Sequence, residues 1–268
     1  MKYIKLNNNL EIPLIGIGTN TFGKVDNQYA AEINYDTKEL DTAIQVGYRL
    51  LDTAIAYRNE EVIGLAVEKS GIKRSDFILT TKLPGQVGYI QKNEIIDAVN
   101  QSLKNLKTNY IDILLMHHPW DNNEEMLSVY QVLEEFVNKG IIKTIGVSNF
   151  NNEQLKYILD HCQIKPAINQ IASYPGHWQD DLIEFNQTNG IVVQAWSPLN
   201  RVTFEMKNIL QDIGKKHDKT WAQVILNYQV RRGVVVIPKS HRLEGQKENL
   251  DIFDFELSPE DINRIKNL

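Results

Sequence analysis

Eight short runs of apolar and β-branched residues recur along the 268-residue chain, separated by amphipathic stretches of helical length: Leu14–Gly18, Tyr48–Asp52, Phe77–Lys82, Ile111–His117, Thr144–Ser148, Ala167–Ile171, Ile191–Trp196 and Val234–Pro238. Most are almost continuously apolar, as strands buried on both faces must be, and strand–helix alternation of this kind is the signature of parallel βαβ units. Eight such units in a chain of this length fit a (β/α)8 TIM barrel that closes as one unit. The expectation is therefore an α/β fold with residues 1–268 forming a single barrel domain.

The segments between the runs carry helical periodicity. In Asn93–Leu106, residues Ile95, Ile96, Val99, Leu103 and Leu106 recur on one face, and Leu127–Val137 and Gln154–Leu159 repeat the pattern. Glu205–Lys216 and Trp221–Arg232 give two further helices before the last strand, and Asp261–Asn267 gives one after it. Ser75-Asp76 and Asn151-Asn152 supply turn or cap chemistry. Ahead of the first barrel strand, Tyr3–Leu6 and Leu10–Leu14 flank Asn7-Asn8-Asn9, a hairpin expected to plug the barrel bottom. The insert Asn27–Asp36, between the first strand and its helix, reads as a surface loop.

A formal charge of −5 with no sustained basic run gives no attraction for phosphate backbones, so nucleic acid is not an expected partner. The single cysteine, Cys162, precludes an internal disulfide and suits a reducing compartment. The N-terminus lacks the apolar core of a signal peptide, and no apolar stretch approaches membrane-spanning length. A cytoplasmic protein without membrane association is expected.

A barrel places chemistry at the C-terminal ends of its strands and in the loops that follow. The second strand ends in Asp52 with Tyr57 five residues on, the third ends in Lys82, and the fourth stops at His117-His118. Reduction of a carbonyl needs a proton donor at oxygen as hydride reaches carbon. Tyrosine, with a free pKa of about 10, gives a proton poorly near neutrality unless a cation stabilises its phenolate. Lys82 is such a cation, Asp52 its counter-ion, and His117 a group able to orient the carbonyl oxygen. The adjacent histidines also suggest a metal-dependent hydrolase, but neighbours on a strand point to opposite faces and do not share an ion; no metal is expected.

The sequence resembles the aldo-keto reductase family from Leu14 to Leu257. The resemblance rests on Gly16-Ile17-Gly18-Thr19, Tyr48-Arg49-Leu50-Leu51-Asp52-Thr53-Ala54, Tyr57-Arg58-Asn59-Glu60-Glu61, Thr80-Thr81-Lys82-Leu83, Tyr110-Ile111-Asp112 leading to His117, Gly146-Val147-Ser148-Asn149-Phe150, Asn169-Gln170, Ser197-Pro198-Leu199 and Ile237-Pro238-Lys239-Ser240. It implies NADPH-dependent reduction of small aldehydes or ketones by a catalytic tetrad of Asp52, Tyr57, Lys82 and His117, with Tyr57 as general acid. It further implies that Ser148, Asn149 and Gln170 bind the nicotinamide carboxamide and that Trp196 stacks on the ring. Thr19 and Asn20 adjoin the cofactor, Ser197 and Leu199 meet the pyrophosphate, Lys239, Ser240 and Arg242 meet the 2′-phosphate, and Glu248 and Asn249 meet adenine. The family's members are often monomers, and a monomer is expected here.

Three departures bear on function. Gly245 stands where the family usually has an arginine for the 2′-phosphate, so Arg242 must replace it for NADPH to be preferred; otherwise NADH is also used. Asn20 and His118 stand where tryptophans are common, which implies a more polar substrate pocket unless Trp120 or Trp178 fills it. The C-terminal specificity loop is short, as in bacterial members acting on small dicarbonyls or keto-sugars. A second class on the same barrel is a nicotinamide-binding sensor or auxiliary subunit with little turnover.

Overall fold

The computed structural model describes residues 1–85 and 90–268. An antiparallel hairpin of β1 (Tyr3–Lys5) and β2 (Glu11–Pro13) precedes eight parallel strands, β3 (Ile17–Gly18), β4 (Leu50–Asp52), β5 (Ile78–Leu83), β6 (Ile111–Met116), β7 (Ile142–Ser148), β8 (Ile168–Ala172), β9 (Val192–Trp196) and β10 (Val235–Ile237). Each of the eight expected runs overlaps one barrel strand, with ends displaced by at most three residues. The strands pair in sequence order, and the sheet closes where Gly16 N–H donates to Val236 O at 2.9 Å and Val236 N–H to Leu14 O at 3.0 Å. The run Leu14–Gly18 therefore pairs along its length although only its last two residues form a regular strand.

Helices α1 (Lys38–Val46), α2 (Glu60–Lys69), α3 (Lys92–Asn105), α4 (Asn123–Asn138), α5 (Asn152–His161), α6 (Asp180–Thr188), α7 (Phe204–Lys215), α8 (Trp221–Arg231), α9 (Leu243–Leu250) and α10 (Pro259–Lys266) clothe the barrel. The α3 stripe buries Ile95 and Val99 against it. Asn151 caps α5 through a reciprocal bond with Gln154, and Ser75-Asp76 lies in a single 3-10 turn. None of the described helices is long and apolar enough to cross a membrane.

Side chains on a strand alternate between faces, and the parallel register carries one parity around the barrel. Gly18, Asp52 and Thr80 are paired positions, as are Lys82, Leu115 and Gly146, and as are Ser148, Gln170, Gln194 and Val235. The lower inward positions are apolar: Leu50, Ile113, Leu115, Ile168, Val192 and Val235 form one cluster with Leu6 and Ile12 of the hairpin region. Two residues further along the same parity, the interior becomes polar.

The hairpin seals the lower end. Ile12 is fully buried in that interior cluster, while Asn7 donates to Pro166 O at 3.0 Å and Asn8 to Thr144 Oγ1 at 2.7 Å, both near the N-terminal ends of barrel strands. The expected plug at the barrel bottom is thus present. Asn27–Asp36 is a surface loop, as expected, but not a detached one. Val25 N–H bonds to Glu32 O at 3.0 Å, Asn34 N–H to Gly23 O at 2.8 Å, and Arg58 Nη2 to Ala30 O and Ala31 O at 3.1 Å each.

Truncating Ile12→Ala should leave a cavity at the bottom of the barrel and cost about 2–5 kcal/mol of stability. Turnover per folded molecule should be unchanged, because the chemistry lies at the opposite end. Urea unfolding checks the first statement, and a loss below about 1 kcal/mol would mean that the hairpin does not seal the core.

Candidate active site

At the C-terminal end of the barrel, Thr19, Asn20, Asp52, Tyr57, His117, His118, Ser148, Asn149, Gln170, Trp196, Ser197 and Lys239 line a cavity of about 290 Å³. Parity explains four of these: Asp52, Ser148, Gln170 and Trp196 each stand two residues beyond an inward-facing position lower on the same strand. Lys82 lies beneath the floor, fully buried, with Nζ 2.5 and 2.7 Å from the two Asp52 carboxylate oxygens and 2.8 Å from Thr53 O.

Tyr57 follows β4 in a short 3-10 turn, closed by Arg58 in the left-handed region at φ 63°. Fully buried Asn59 fixes this turn. It accepts from Thr53 Oγ1 at 2.8 Å and donates to Thr19 O at 2.7 Å and Phe22 O at 3.1 Å, joining the loops after β3 and β4. The Tyr57 ring centre then sits 4.9 Å from Lys82 Nζ and 5.6 Å from the His117 ring, edge-on at 80°.

The electrostatics differ in one respect from the sequence expectation. Burial raises the Tyr57 pKa above its ordinary value, and the opposing pull of Lys82 does not overcome it; Asp52 and Tyr29 also raise it. The phenol is therefore held protonated, the form a proton donor needs, while Lys82 lowers the cost of the phenolate left behind. Burial works against the Lys82 ammonium, yet Asp52 and Tyr57 hold its pKa above the usual lysine value. Burial likewise pushes the Asp52 carboxyl up, opposed by Lys82 and by Gln170, whose Nε2 donates to Oδ2 at 3.0 Å.

Burial, Lys82 and His118 bring His117 down to about 3, so its ring is neutral and able to donate one hydrogen bond. The two histidines do not point apart as adjacent strand residues would. They lie just beyond the end of β6, and their rings stack at 4.8 Å with 12° between planes. Gly85 leaves room for this corner, since a Cβ there would come within 2.3 Å of His118 O.

The amides are pre-arranged. Asn149, at φ 64°, donates from Nδ2 to His117 O at 3.0 Å and Ser148 Oγ at 3.1 Å, with His118 Nδ1 3.2 Å from the same nitrogen, and accepts from Trp196 Nε1 at 3.0 Å. Thr19 spends its hydroxyl on Asp52 O at 2.8 Å. Lys239 donates to Asn20 Oδ1 at 2.9 Å and Thr21 Oγ1 at 3.0 Å. Trp120 and Trp178 are buried in the core and do not line the cavity; Trp178 donates to Ile265 O. The polar walls at Asn20 and His118 therefore stand uncompensated by either, and α10 packs on α7 and α8 rather than over the cavity.

A second hollow of about 350 Å³ is lined by Leu199, Lys239, Ser240, Arg242, Gly245, Glu248 and Asn249. Lys239 lines both hollows, so they adjoin one another at that side chain. Arg242 is the N-cap of α9, which points the helix's free N–H groups toward Ser240 and Arg242. A Cβ at Gly245 would lie 2.5 Å from Ser240 Oγ, so any side chain there displaces that hydroxyl. Lys207 and Trp221 also line this hollow, with Lys207 Nζ 5.4 Å from the Trp221 ring centre. The sequence marked both only as parts of helices. Asn59 likewise stands out only as part of Tyr57-Arg58-Asn59-Glu60-Glu61, because nothing local shows that its amide bridges two loops.

The chemistry of the two adjoining hollows suits an extended dinucleotide. One end offers a hydroxyl and carboxamides that complement an amide, the other offers cations and a helix N-terminus that complement phosphate, and one lysine spans the two.

A fold and site of this kind define a barrel oxidoreductase, and comparison with known proteins agrees. The sequence profile of the aldo/keto reductase family matches residues 14–268. A glyoxal reductase of Bacillus subtilis (strain 168) is 37% identical over 266 residues, covering 99% of this chain and 92% of the relative. A methylglyoxal reductase of Escherichia coli (strain K12) is 33% identical over 268 residues, covering 99% and 92%. Among solved structures, an aldo/keto reductase from Brucella melitensis superposes with a TM-score of 0.89 at 35% identity, covering 98% of each chain. A Bombyx mori aldo-keto reductase in complex with NADP gives 0.88 at 30% identity, covering 99% of this chain and 92% of that one. The chain belongs to the aldo/keto reductase family and is an NAD(P)H-dependent oxidoreductase.

Lys82→Met should leave the Asp52 carboxyl buried without a counter-ion and cost about 3–5 kcal/mol near neutral pH. A carboxyl whose folded pKa is raised binds its proton more tightly in the folded state, so its penalty is small below the unfolded pKa and grows as pH rises through the folded one. Urea unfolding at pH 5 and pH 8 should show the larger deficit at pH 8. Equal deficits would mean that Asp52 does not carry the uncompensated charge.

Proposed function

We propose that this protein reduces small aldehydes and ketones to alcohols with NADPH, Tyr57 giving the proton to the carbonyl oxygen. The observation that carries this reading is the setting of the Tyr57 ring close to both the Lys82 ammonium and the neutral His117 ring, on the wall of a cavity that also holds Ser148, Asn149 and Gln170. The bound nicotinamide supplies hydride to the carbonyl carbon. Ser148, Asn149 and Gln170 hold its carboxamide and Trp196 its ring, fixing which face is presented; Thr19 and Asn20 border it. His117 donates to the carbonyl oxygen and aligns it with the Tyr57 hydroxyl. As the phenol releases its proton, Lys82 stabilises the developing phenolate while Asp52 keeps the ammonium charged and in place.

Ser197 and Leu199 border the pyrophosphate, Glu248 and Asn249 the adenine. Lys239, Ser240, Arg242 and the N-terminus of α9 favour NADPH by binding the 2′-phosphate, in a hollow where Gly245 supplies no charge and Lys207 adds one. The polar walls at Asn20 and His118 suit small dicarbonyls, which agrees with the names of the glyoxal and methylglyoxal reductases among its relatives.

Purified protein should oxidise NADPH when offered methylglyoxal, with Tyr57→Phe reducing kcat about 10²–10⁴-fold and leaving NADPH Kd, read by tryptophan quenching, within about two-fold. Near-normal turnover of that variant would remove the proton-donor role. Binding of cofactor without turnover of any carbonyl by the unaltered protein would favour a sensor. Arg242→Ala should weaken NADPH about ten-fold and leave NADH unchanged, since a charge-assisted bond to phosphate is worth roughly 1.5–3 kcal/mol before solvent screening at an exposed site. Equal binding of both cofactors by the unaltered protein would show that Arg242 does not replace the charge absent at Gly245.

A further inference from the structure

An exposed lysine ordinarily samples many rotamers, but Lys239 is held at two of its three donors. Its ammonium donates to Asn20 Oδ1 at 2.9 Å and to Thr21 Oγ1 at 3.0 Å. It has no carboxylate within salt-bridge distance among the described residues, so one donor and an unpaired charge remain where the two hollows adjoin. Thr21 is buried, and its hydroxyl is engaged a second time, 2.9 Å from His241 Nε2. At the other ring nitrogen, Glu39 Oε2 lies 2.7 Å from Nδ1. That approach is off the axis of a well-aligned hydrogen bond, yet too close for two lone pairs to face one another without a proton between them.

The chemistry of these four groups sets the direction of the chain. An ammonium only donates and a carboxylate only accepts. In the neutral imidazole, Glu39 therefore keeps the proton on Nδ1, Nε2 accepts the Thr21 hydroxyl proton, and the lone pairs of that hydroxyl turn to Lys239. The far end is anchored. Asn27 Nδ2 donates to Glu39 Oε1 at 3.0 Å, and fully buried Gln246 donates to Glu39 O at 2.9 Å and Ser240 O at 3.1 Å, which ties α1 to the loop after β10. The His241 ring packs on buried Phe22 with centres 4.8 Å apart. Partial burial lowers the Lys239 pKa, and the Glu39 charge acts against it.

From this arrangement we infer that Thr21 and His241 are positioning residues for Lys239. One hydroxyl, oriented by Glu39 through the imidazole, holds the ammonium so that its third donor meets the cofactor's 2′-phosphate, and this raises the preference for NADPH over NADH. The inference rests on the proposed reading that Lys239 binds that phosphate. Neither Thr21 nor His241 lines either hollow, so both act through the lysine. Gly245 supplies no charge here, and a donor already held in place loses little rotamer freedom when the phosphate arrives.

The test measures Kd for NADPH and for NADH separately, by tryptophan quenching of the full-length protein. Thr21→Val removes the hydroxyl at nearly constant volume and should raise NADPH Kd about three- to ten-fold, the range that one hydrogen bond is worth, with NADH Kd held within about two-fold. Thr21→Ser keeps the hydroxyl and should restore the NADPH Kd of the unaltered protein. His241→Phe keeps a ring on Phe22 and removes both nitrogens, and should weaken NADPH selectively as Thr21→Val does. The double variant should bind NADPH no more weakly than Thr21→Val alone, because both changes act through one hydroxyl.

Equal rises for both cofactors overturn the inference, since a general loss of structure does the same. So does an unchanged NADPH Kd in Thr21→Val and His241→Phe, a Thr21→Ser variant as weak as Thr21→Val, or losses that multiply in the double variant. Thr21 is buried; if Thr21→Val does not fold, His241→Phe at its partly exposed position carries the same comparison of the two cofactors. Lys239→Met separates the underlying reading. An unaltered ratio of the two Kd values in that variant would show that Lys239 does not meet the 2′-phosphate, and the inference falls with it. A selective loss of NADPH in Lys239→Met, with unaltered ratios in Thr21→Val and His241→Phe, overturns the inference alone.

Discussion

The ion pair between Lys82 and Asp52 sets what the upper half of this barrel can be. Both groups are removed from water, and the lysine finds its hydrogen-bond acceptors in the two carboxylate oxygens and one backbone carbonyl. Such a pair is tolerable only when geometry and hydrogen bonding are nearly complete, because desolvation of each charge costs several kcal/mol. The neighbours comply. Gln170 donates to the carboxylate, Thr19 donates to the Asp52 carbonyl, and Asn59 ties together the loops that carry Thr19 and Tyr57. Tyr57 stands on a scaffold that the charge pair requires to be rigid.

The same strand parity that buries an apolar lower layer delivers the polar upper one. Leu50 and Asp52, Ile168 and Gln170, and Val192, Gln194 and Trp196 are successive inward positions on their strands. The core can be dry at the bottom and wet at the top without any change in local backbone. The hairpin excludes water from one end, and the other end is left to bind molecules.

The loops supply what the strands cannot. Lys239 follows β10 and lines both hollows. The insert after β3 brings Tyr29 to Tyr57 with two cations donating to its backbone carbonyls. Asp52 and Lys82 lie on strands, whereas Tyr57 and His117 lie in the segments just after them.

Much of this was legible in the sequence. Eight apolar runs, their helical spacers and the hairpin ahead of them determine the barrel, because a strand buried on both faces must be apolar and a parallel connection needs a crossover. Asp52, Tyr57, Lys82 and His117 could be marked in advance because they fall at or just after strand ends, where a barrel exposes its side chains. Tertiary structure alone decided the rest. The sequence suggested that Lys82 makes Tyr57 a better acid, but the sign of a pKa shift is a balance of burial against charge, and burial is a property of packing. It placed adjacent histidines on opposite faces, but the strand ends before them and they stack. It left Trp120 and Trp178 open as pocket residues, and packing buried both elsewhere. It read Asn27–Asp36 as surface loop, and no periodicity could show that Lys24 and Arg58 would bring Tyr29 back to the Tyr57 ring. Local pattern fixes which residues are in strands and helices, whereas contacts between residues distant in sequence, such as Asn59 with Thr19 or Tyr29 with Tyr57, exist only once the chain has closed.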